Sequence, residues 1–253
     1  MDKELEYNRY NKSSANKIDK LDGTVMPEGS AAYPLYLSTP YLFYESILAE
    51  NISPGMKVLD LCCGDGIHSL FLARLGADVI AVDIAENSIK LAELRAENAG
   101  IRDIRFLVAD AEELTFGQVE KFDVITCVGS LSYVDIQPLI DRLLELLNEN
   151  GKFICVDSFN HNPVYRMNRY IHYLKGERTL STLNRMPDIT TIQMLNSRFK
   201  SVKVNYFGIF TFFGPVFQKI LGDIKAKKII DKFDNSMSFL KNQAFKIVLI
   251  ASK

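Results

Sequence analysis

Short apolar runs bounded by turn residues recur along the chain, at 57–61, 78–82, 104–109, 122–127 and 152–157. Text with a helical period lies between them. Residues 67–75 follow the first run. Residues 86–98 follow the second, with Ile89, Leu91, Ala92 and Leu94 toward one side and Gly100 as a stop, and residues 138–147 precede the fifth, with Leu139, Leu143 and Leu147 one and two turns apart. Strands that are apolar on both faces and alternate with helices form a parallel sheet covered on both sides. Two later runs, 201–210 and 244–251, bring the count to seven. The order predicts an α/β fold with a doubly wound sheet, helices on both faces, and a ligand at the carboxyl ends of the strands.

Composition narrows this picture. With 253 residues, 47% of them hydrophobic and 24% charged, the chain buries one large core, and 1–253 reads as a single domain with added segments. A formal charge of −1 argues against a nucleic-acid binder driven by counterion release. The opening residues are polar and lack an apolar signal stretch, and no run reaches the ~18 apolar residues of a membrane span. Of the four cysteines, Cys62 and Cys63 are adjacent while Cys127 and Cys155 sit in apolar runs. With no C-x-x-C spacing, neither a zinc site nor a disulfide framework is expected, and no metal ligands are assigned. A cytoplasmic setting follows as the simplest expectation.

The stretch VLDLCCGDGIHSL, residues 58–70, carries the first chemistry. A dinucleotide site wants G-x-G-x-x-G, whose glycines let backbone amides approach a pyrophosphate. Here those positions hold Cys62, Gly64 and Ile67. Asp60 ends the strand and Asp65 stands inside the turn. Two carboxylates repel a pyrophosphate and attract an ammonium or a sulfonium, so a cationic cofactor fits better.

Two further acids suit the same guest. Asp83 closes VIAVD, where a carboxylate accepts from ribose hydroxyls, and Asp110 closes FLVAD, where it accepts from an adenine amino group. A cation, a ribose and an adenine together describe S-adenosylmethionine. In VLDLCCGDG, VIAVDIAENSIKLA, FLVADAEEL and FDVITCVGSLSYV the sequence resembles the class I S-adenosylmethionine-dependent methyltransferases, over roughly residues 40–160. The resemblance implies a seven-stranded sheet that is mostly parallel with its last strand antiparallel. It also implies roles by position. Asp60, Cys62, Gly64 and Gly66 hold the methionine end; Asp83 takes the ribose hydroxyls with Ile84 against the adenine face; Asp110 and the amide of Ala111 read the adenine edge; Val128 and Gly129 line the route to the methyl group. One departure is Cys62, where the family usually has glycine; a larger side chain there narrows the methionine site.

Methyl transfer mainly requires that an acceptor be aligned with the donor and water excluded, and an acceptor hydroxyl also benefits from a base. His161, after the fifth strand, is the candidate base, and Tyr133, after the fourth, is the second candidate catalytic residue. His68 reads as a residue of the first helix facing away from the pocket.

The remaining segments are expected to cover the core at 50–160. Residues 1–40, rich in tyrosine, read as an N-terminal lid or a partly disordered arm. Residues 160–200 are too long for an unstructured loop, so a helix is expected over 163–175, with Tyr165, Arg166 and Arg169 facing an anionic or polyhydroxylated substrate. Residues 212–243 hold clustered phenylalanines and a lysine-rich amphipathic helix that reads as a pocket cap, a homodimer contact or a membrane contact. The acids Asp223, Asp231 and Asp234 favour the first two. The C-terminal half is also similar, less specifically, to methyltransferases of bacterial surface-polysaccharide and small-metabolite pathways. The leading expectation is methylation of a hydroxyl on a saccharide-like or anionic small molecule. The alternatives are N- or C-methylation of a small or lipid-like metabolite, a non-catalytic regulatory protein that binds S-adenosylmethionine, and a nicotinamide oxidoreductase, which needs the missing glycines.

Overall fold

The structure, a computed structural model, describes residues 2–21, 26–114 and 120–253. Residues 1 and 22–25 of the expected N-terminal lid lie outside the described residues. In chain order the elements are α1 (Asp2–Ile18), α2 (Ser38–Asn51), β1 (Lys57–Leu61), α3 (Ser69–Arg74), β2 (Asp78–Asp83), α4 (Glu86–Asn98), β3 (Ile104–Val108), β4 (Phe122–Val128), α5 (Ile136–Leu146) and β5 (Leu147–Ser158). There follow α6 (Pro163–Leu174), α7 (Leu180–Asn184), α8 (Ile189–Arg198), β6 (Ser201–Phe207), α9 (Gly214–Leu221), α10 (Asp223–Ser236) and β7 (Lys246–Ser252).

The seven strands form one sheet in the order β3-β2-β1-β4-β5-β7-β6. The pairs among β1 to β5 are parallel, and β7 runs antiparallel between β5 and β6. The strand order reverses at β1 and β4, so the crevice outside their carboxyl ends is where this topology places a ligand. Alternation along each strand divides the core. Leu59, Ile125 and Phe153 point to the side covered by Leu139 and Leu143 of α5 and Leu195 of α8. Val58, Val124 and Ile154 point to the side covered by Tyr44 and Leu48 of α2 and Leu72 of α3.

Local signals explain several helix starts. Asp135 accepts from the Gln137 amide ahead of α5, Asn162 accepts from the Tyr165 amide with Pro163 opening α6, and Asp188 with Thr191 makes a capping box on α8. Two strand boundaries differ from the sequence expectation. β5 starts at Leu147 rather than 152, because Leu147 pairs with Phe122 and the polar residues 148–150 fall in an irregularity of the register between Phe122 and Val124. β6 stops at Phe207 because Gly208 turns away with φ of 78°.

Candidate functional site

A cavity of about 280 Å³ lies at the carboxyl ends of β1, β2, β3 and β4. Its floor is the turn after β1. Cys62 adopts φ of 54°, the left-handed region in which a side chain is strained by roughly 1–2 kcal/mol, which accounts physically for glycine being the easier residue there. The Cys63 amide donates to the Val82 carbonyl and the Gly64 amide to the Asp83 carboxylate, both at 2.9 Å. Gly66 does not border the cavity. A Cβ there would stand 2.8 Å from the Ala92 Cβ, so this glycine lets the turn pack on α4.

Four acids surround this floor, and their partners differ. Asp60 is buried and accepts from the hydroxyls of Ser69 at 2.6 Å and Thr126 at 2.9 Å. Burial pushes its carboxyl up to about 6 in spite of those bonds. Asp83 accepts from the amides of Gly64 and Ala85, and burial raises it as well. Asp65 is answered by two cations, Lys17 at 2.7 Å and the buried Arg95 at 3.3 Å. Asp110 is answered by Lys3 at 2.6 Å. The turn acid is thus neutralised, and the uncompensated charge falls on Asp60 and Asp83.

Both lysines come from α1, which crosses the mouth of the cavity. Ser14 bonds Ser88 and Asn11 receives the Asn87 amide at the start of α4. At the other side Arg9 and Tyr10 converge with Arg178 on the phenol oxygen of Tyr133. Tyr133 therefore lines the cavity with its oxygen already receiving donors. The turn that carries it is held by Asp157, which accepts from the Leu131 amide at 2.8 Å.

Most of the residues read from sequence meet at this cavity: Asp60, Cys62, Gly64, Asp83, Ile84, Asp110, Ala111, Val128 and Tyr133 all border it. The other candidates do not. His161 stacks on Phe159 at 4.6 Å, away from the lining, because the chain turns aside after β5. Tyr165 bonds the Ser158 hydroxyl, and Arg169 sits over the Tyr165 ring at 5.3 Å, so neither reaches the cavity. Arg166 is not part of the lining either. α6 keeps its own register, with Val164, Met167, Ile171 and Leu174 exposed.

Sequence reading turned His68 away from the pocket, counted Tyr33 only among the tyrosines of the N-terminal lid and missed the α7 segment residues Ser181, Thr182 and Arg185, yet all of these line the wall. His68 precedes α3 rather than lying on it, and the turn swings it inward. Its Nε2 stands 3.1 Å from the Tyr33 hydroxyl, its buried Nδ1 has no hydrogen-bond partner among the described residues, and burial lowers it to about 4. The available signal was its position two residues after Gly66.

This fold and an acid-lined cleft at its switch point define the class I methyltransferase architecture. Over residues 52–201 the chain matches the model of a methyltransferase domain, and it belongs to that family. It is 35% identical over 109 residues to a ubiquinone biosynthesis O-methyltransferase of Leptothrix cholodnii, covering 43% of this chain and 46% of that protein. With the protein of the same description from Psychrobacter cryohalolentis it shares 38% over 118 residues, covering 46% and 45%. The aligned part spans about half the length of these curated relatives. Among solved structures, the magnesium protoporphyrin IX methyltransferase of Synechocystis with bound S-adenosylhomocysteine superposes over 100% of both chains, with a TM-score of 0.63 and 16% identity. Among the described residues no helix is long and apolar enough to cross a membrane, and no group of three potential metal ligands is found.

Proposed function

We propose that this protein binds S-adenosylmethionine and transfers its methyl group to a hydroxyl of a small molecule. The observation that carries the reading is the convergence of Asp60, Asp83 and Asp110, from three successive strands, on one cavity. The residues fit the cofactor. Asp60 and Asp83 are acids met only by neutral donors, as suits a cationic guest, and Asp83 and Asp110 stand where ribose and adenine are read. When bound, the cofactor supplies an activated methyl group.

The protein's part is alignment, exclusion of water and management of a proton. α1 closes the mouth. Neutral His68 in the wall has a nitrogen without a partner among the described residues, and we assign it the hydroxyl proton in place of His161. The arginines that favoured a saccharide-like anionic acceptor, Arg166 and Arg169, do not border the cavity, whereas Tyr7, Tyr10, Tyr33 and Tyr133 do. An aromatic hydroxyl compound with one polar group for Arg185 is the better fit, and the relatives named as O-methyltransferases support oxygen as the acceptor atom.

The test is transfer from labelled S-adenosylmethionine to phenols, catechols, sugars, sugar phosphates and lipids, alongside calorimetric titration with S-adenosylhomocysteine. Labelled phenolic product is the expected result. Binding without labelling of any acceptor would favour the regulatory reading over hydroxyl methylation, and stabilisation by NADH alone would overturn both.

A further inference from the structure

The segment 210–245 has an apolar stripe turned outward. Phe213, Val216, Phe217, Ile220 and Leu221 follow the i, i+3, i+4, i+7, i+8 pattern by which a helix normally buries one side, and Ile224 follows at the start of α10, across the break at Gly222 with φ of 77°. Here the side is open: Val216 is 54% exposed, Ile220 71% and Ile224 66%. α9 is held instead through its small residue Gly214 against Tyr36, and α10 through Ala226 and Ile230.

The charges beside the stripe say what covers it. The segment contains six lysines and three aspartates. All three aspartates are engaged: Asp234 by the amides of Gly208 and Phe210, Asp231 by Thr39 and Lys227, and Asp223 by Gln218. Lys219, Lys225, Lys228, Lys232 and Lys241 are exposed, and among the described residues none of them enters an ion pair. The acids that pointed from sequence toward a cap or a dimer contact are therefore held locally, and with six lysines against three aspartates the segment keeps a net positive charge beside its exposed apolar residues. A two-fold contact with a second copy would set those lysines against each other. The segment also contributes nothing to the lining of the cavity at the strand ends.

We propose that this face docks on an anionic lipid bilayer, with the α9 stripe set among the acyl chains and the lysines against the headgroups. It lies at the end of β6 and the start of β7, at the same end of the sheet as the cavity. The proposal is independent of the methyl-transfer reading.

The test is co-sedimentation of the full chain with vesicles of phosphatidylcholine alone and of phosphatidylcholine with roughly 30% phosphatidylglycerol. Binding is expected only to the anionic vesicles. Ile220→Asp with Ile224→Asp, and separately Lys225→Glu with Lys228→Glu, are each expected to lower partitioning about tenfold or more. These residues are exposed, and an unchanged circular dichroism melt verifies that the variants fold. Failure of the wild-type chain to pellet with anionic vesicles overturns the proposal. So does partitioning that the Ile220→Asp, Ile224→Asp pair leaves unchanged, or a lipid-free dimer in sedimentation equilibrium that the same pair dissociates.

Discussion

Asp60 and His68 border one cavity, and burial drives them in opposite directions, so their effects on stability oppose each other across acidic pH. Asp60 rises from 3.8 to about 6, and His68 falls from 6.5 to about 4. A carboxyl raised by folding adds stability that is complete below its unfolded pKa and lost as pH rises through its folded one. A histidine lowered by folding adds stability that is complete above its unfolded pKa and lost as pH falls toward its folded one. Each displacement is about two pH units, so at ~1.4 kcal/mol per pH unit each contribution is about 3 kcal/mol. The windows, 3.8 to about 6 and about 4 to 6.5, nearly coincide, so the two slopes cancel in the wild-type chain. Asp60→Asn keeps an acceptor for one neighbouring hydroxyl and removes the titration. Relative to wild type, this variant is expected to gain about 3 kcal/mol between pH 4 and 6.5, while His68→Gln gains a similar amount in the reverse direction, as pH falls. Urea unfolding at half-unit pH intervals measures both differences, and subtraction from wild type removes the shared contributions of Asp83, Asp157 and Asp234, which burial also raises. A parallel pH profile for Asp60→Asn and wild type would refute the assignment of burial as the cause.

Lys3→Met with Lys17→Met removes the ion pairs that tie α1 to Asp110, Glu112 and Asp65; at ~0.5–2 kcal/mol for such partly exposed contacts, release of S-adenosylhomocysteine should quicken about 2- to 30-fold in stopped flow. An unchanged release rate would mean that the helix does not need to open. His68→Gln should reduce turnover about 10²-fold or more, and His161→Gln should leave it within about twofold, in a labelled-methyl assay; equal losses would return the base to His161. Asp83→Ala should weaken binding of the cofactor by ~1.5–3 kcal/mol in calorimetry, with an unchanged dissociation constant placing the ribose elsewhere.

The sheet was readable because its central strands are buried on both faces: Val58, Leu59, Val79 and Ile80 are apolar regardless of which side they face. The cofactor acids were readable because each ends or closely follows a strand, so the fold alone sets their position. The acceptor side was not, for two physical reasons. His68 and Tyr33 meet through a turn whose direction is fixed by Gly66 packing on Ala92 and by Arg95 donating to the Asp65 carbonyl, contacts 26 and 30 residues apart in sequence. Arg166 and Arg169 showed helical spacing correctly, but spacing defines a face and not its orientation, which is set by Tyr165 bonding Ser158 and packing at 5.3 Å on Phe245. The polar α1 carries almost no apolar signal of its own, since what fixes it is the set of acids and small polar residues at the cavity rim.

The division of partners among the four acids leads to a further test of what the cleft is built to hold. Cations supplied by α1 and α4 balance the outer acids Asp65 and Asp110, while the inner pair, Asp60 and Asp83, receives only hydroxyls and amides. Desolvation of that inner pair is a cost that a positive guest offsets, so binding a cation should be coupled to loss of a proton from Asp60. S-adenosylmethionine carries a sulfonium and an ammonium, and S-adenosylhomocysteine only the ammonium. If the inner acids answer the ammonium, both affinities fall in parallel below pH 6, by at most about tenfold per pH unit. If they answer the sulfonium, only the methylated form weakens. Calorimetry with both molecules at pH 5 and pH 7.5 separates the two arrangements, and affinities that do not change with pH for either molecule would show that the buried carboxylates are structural and that the guest's charge lies out of their reach.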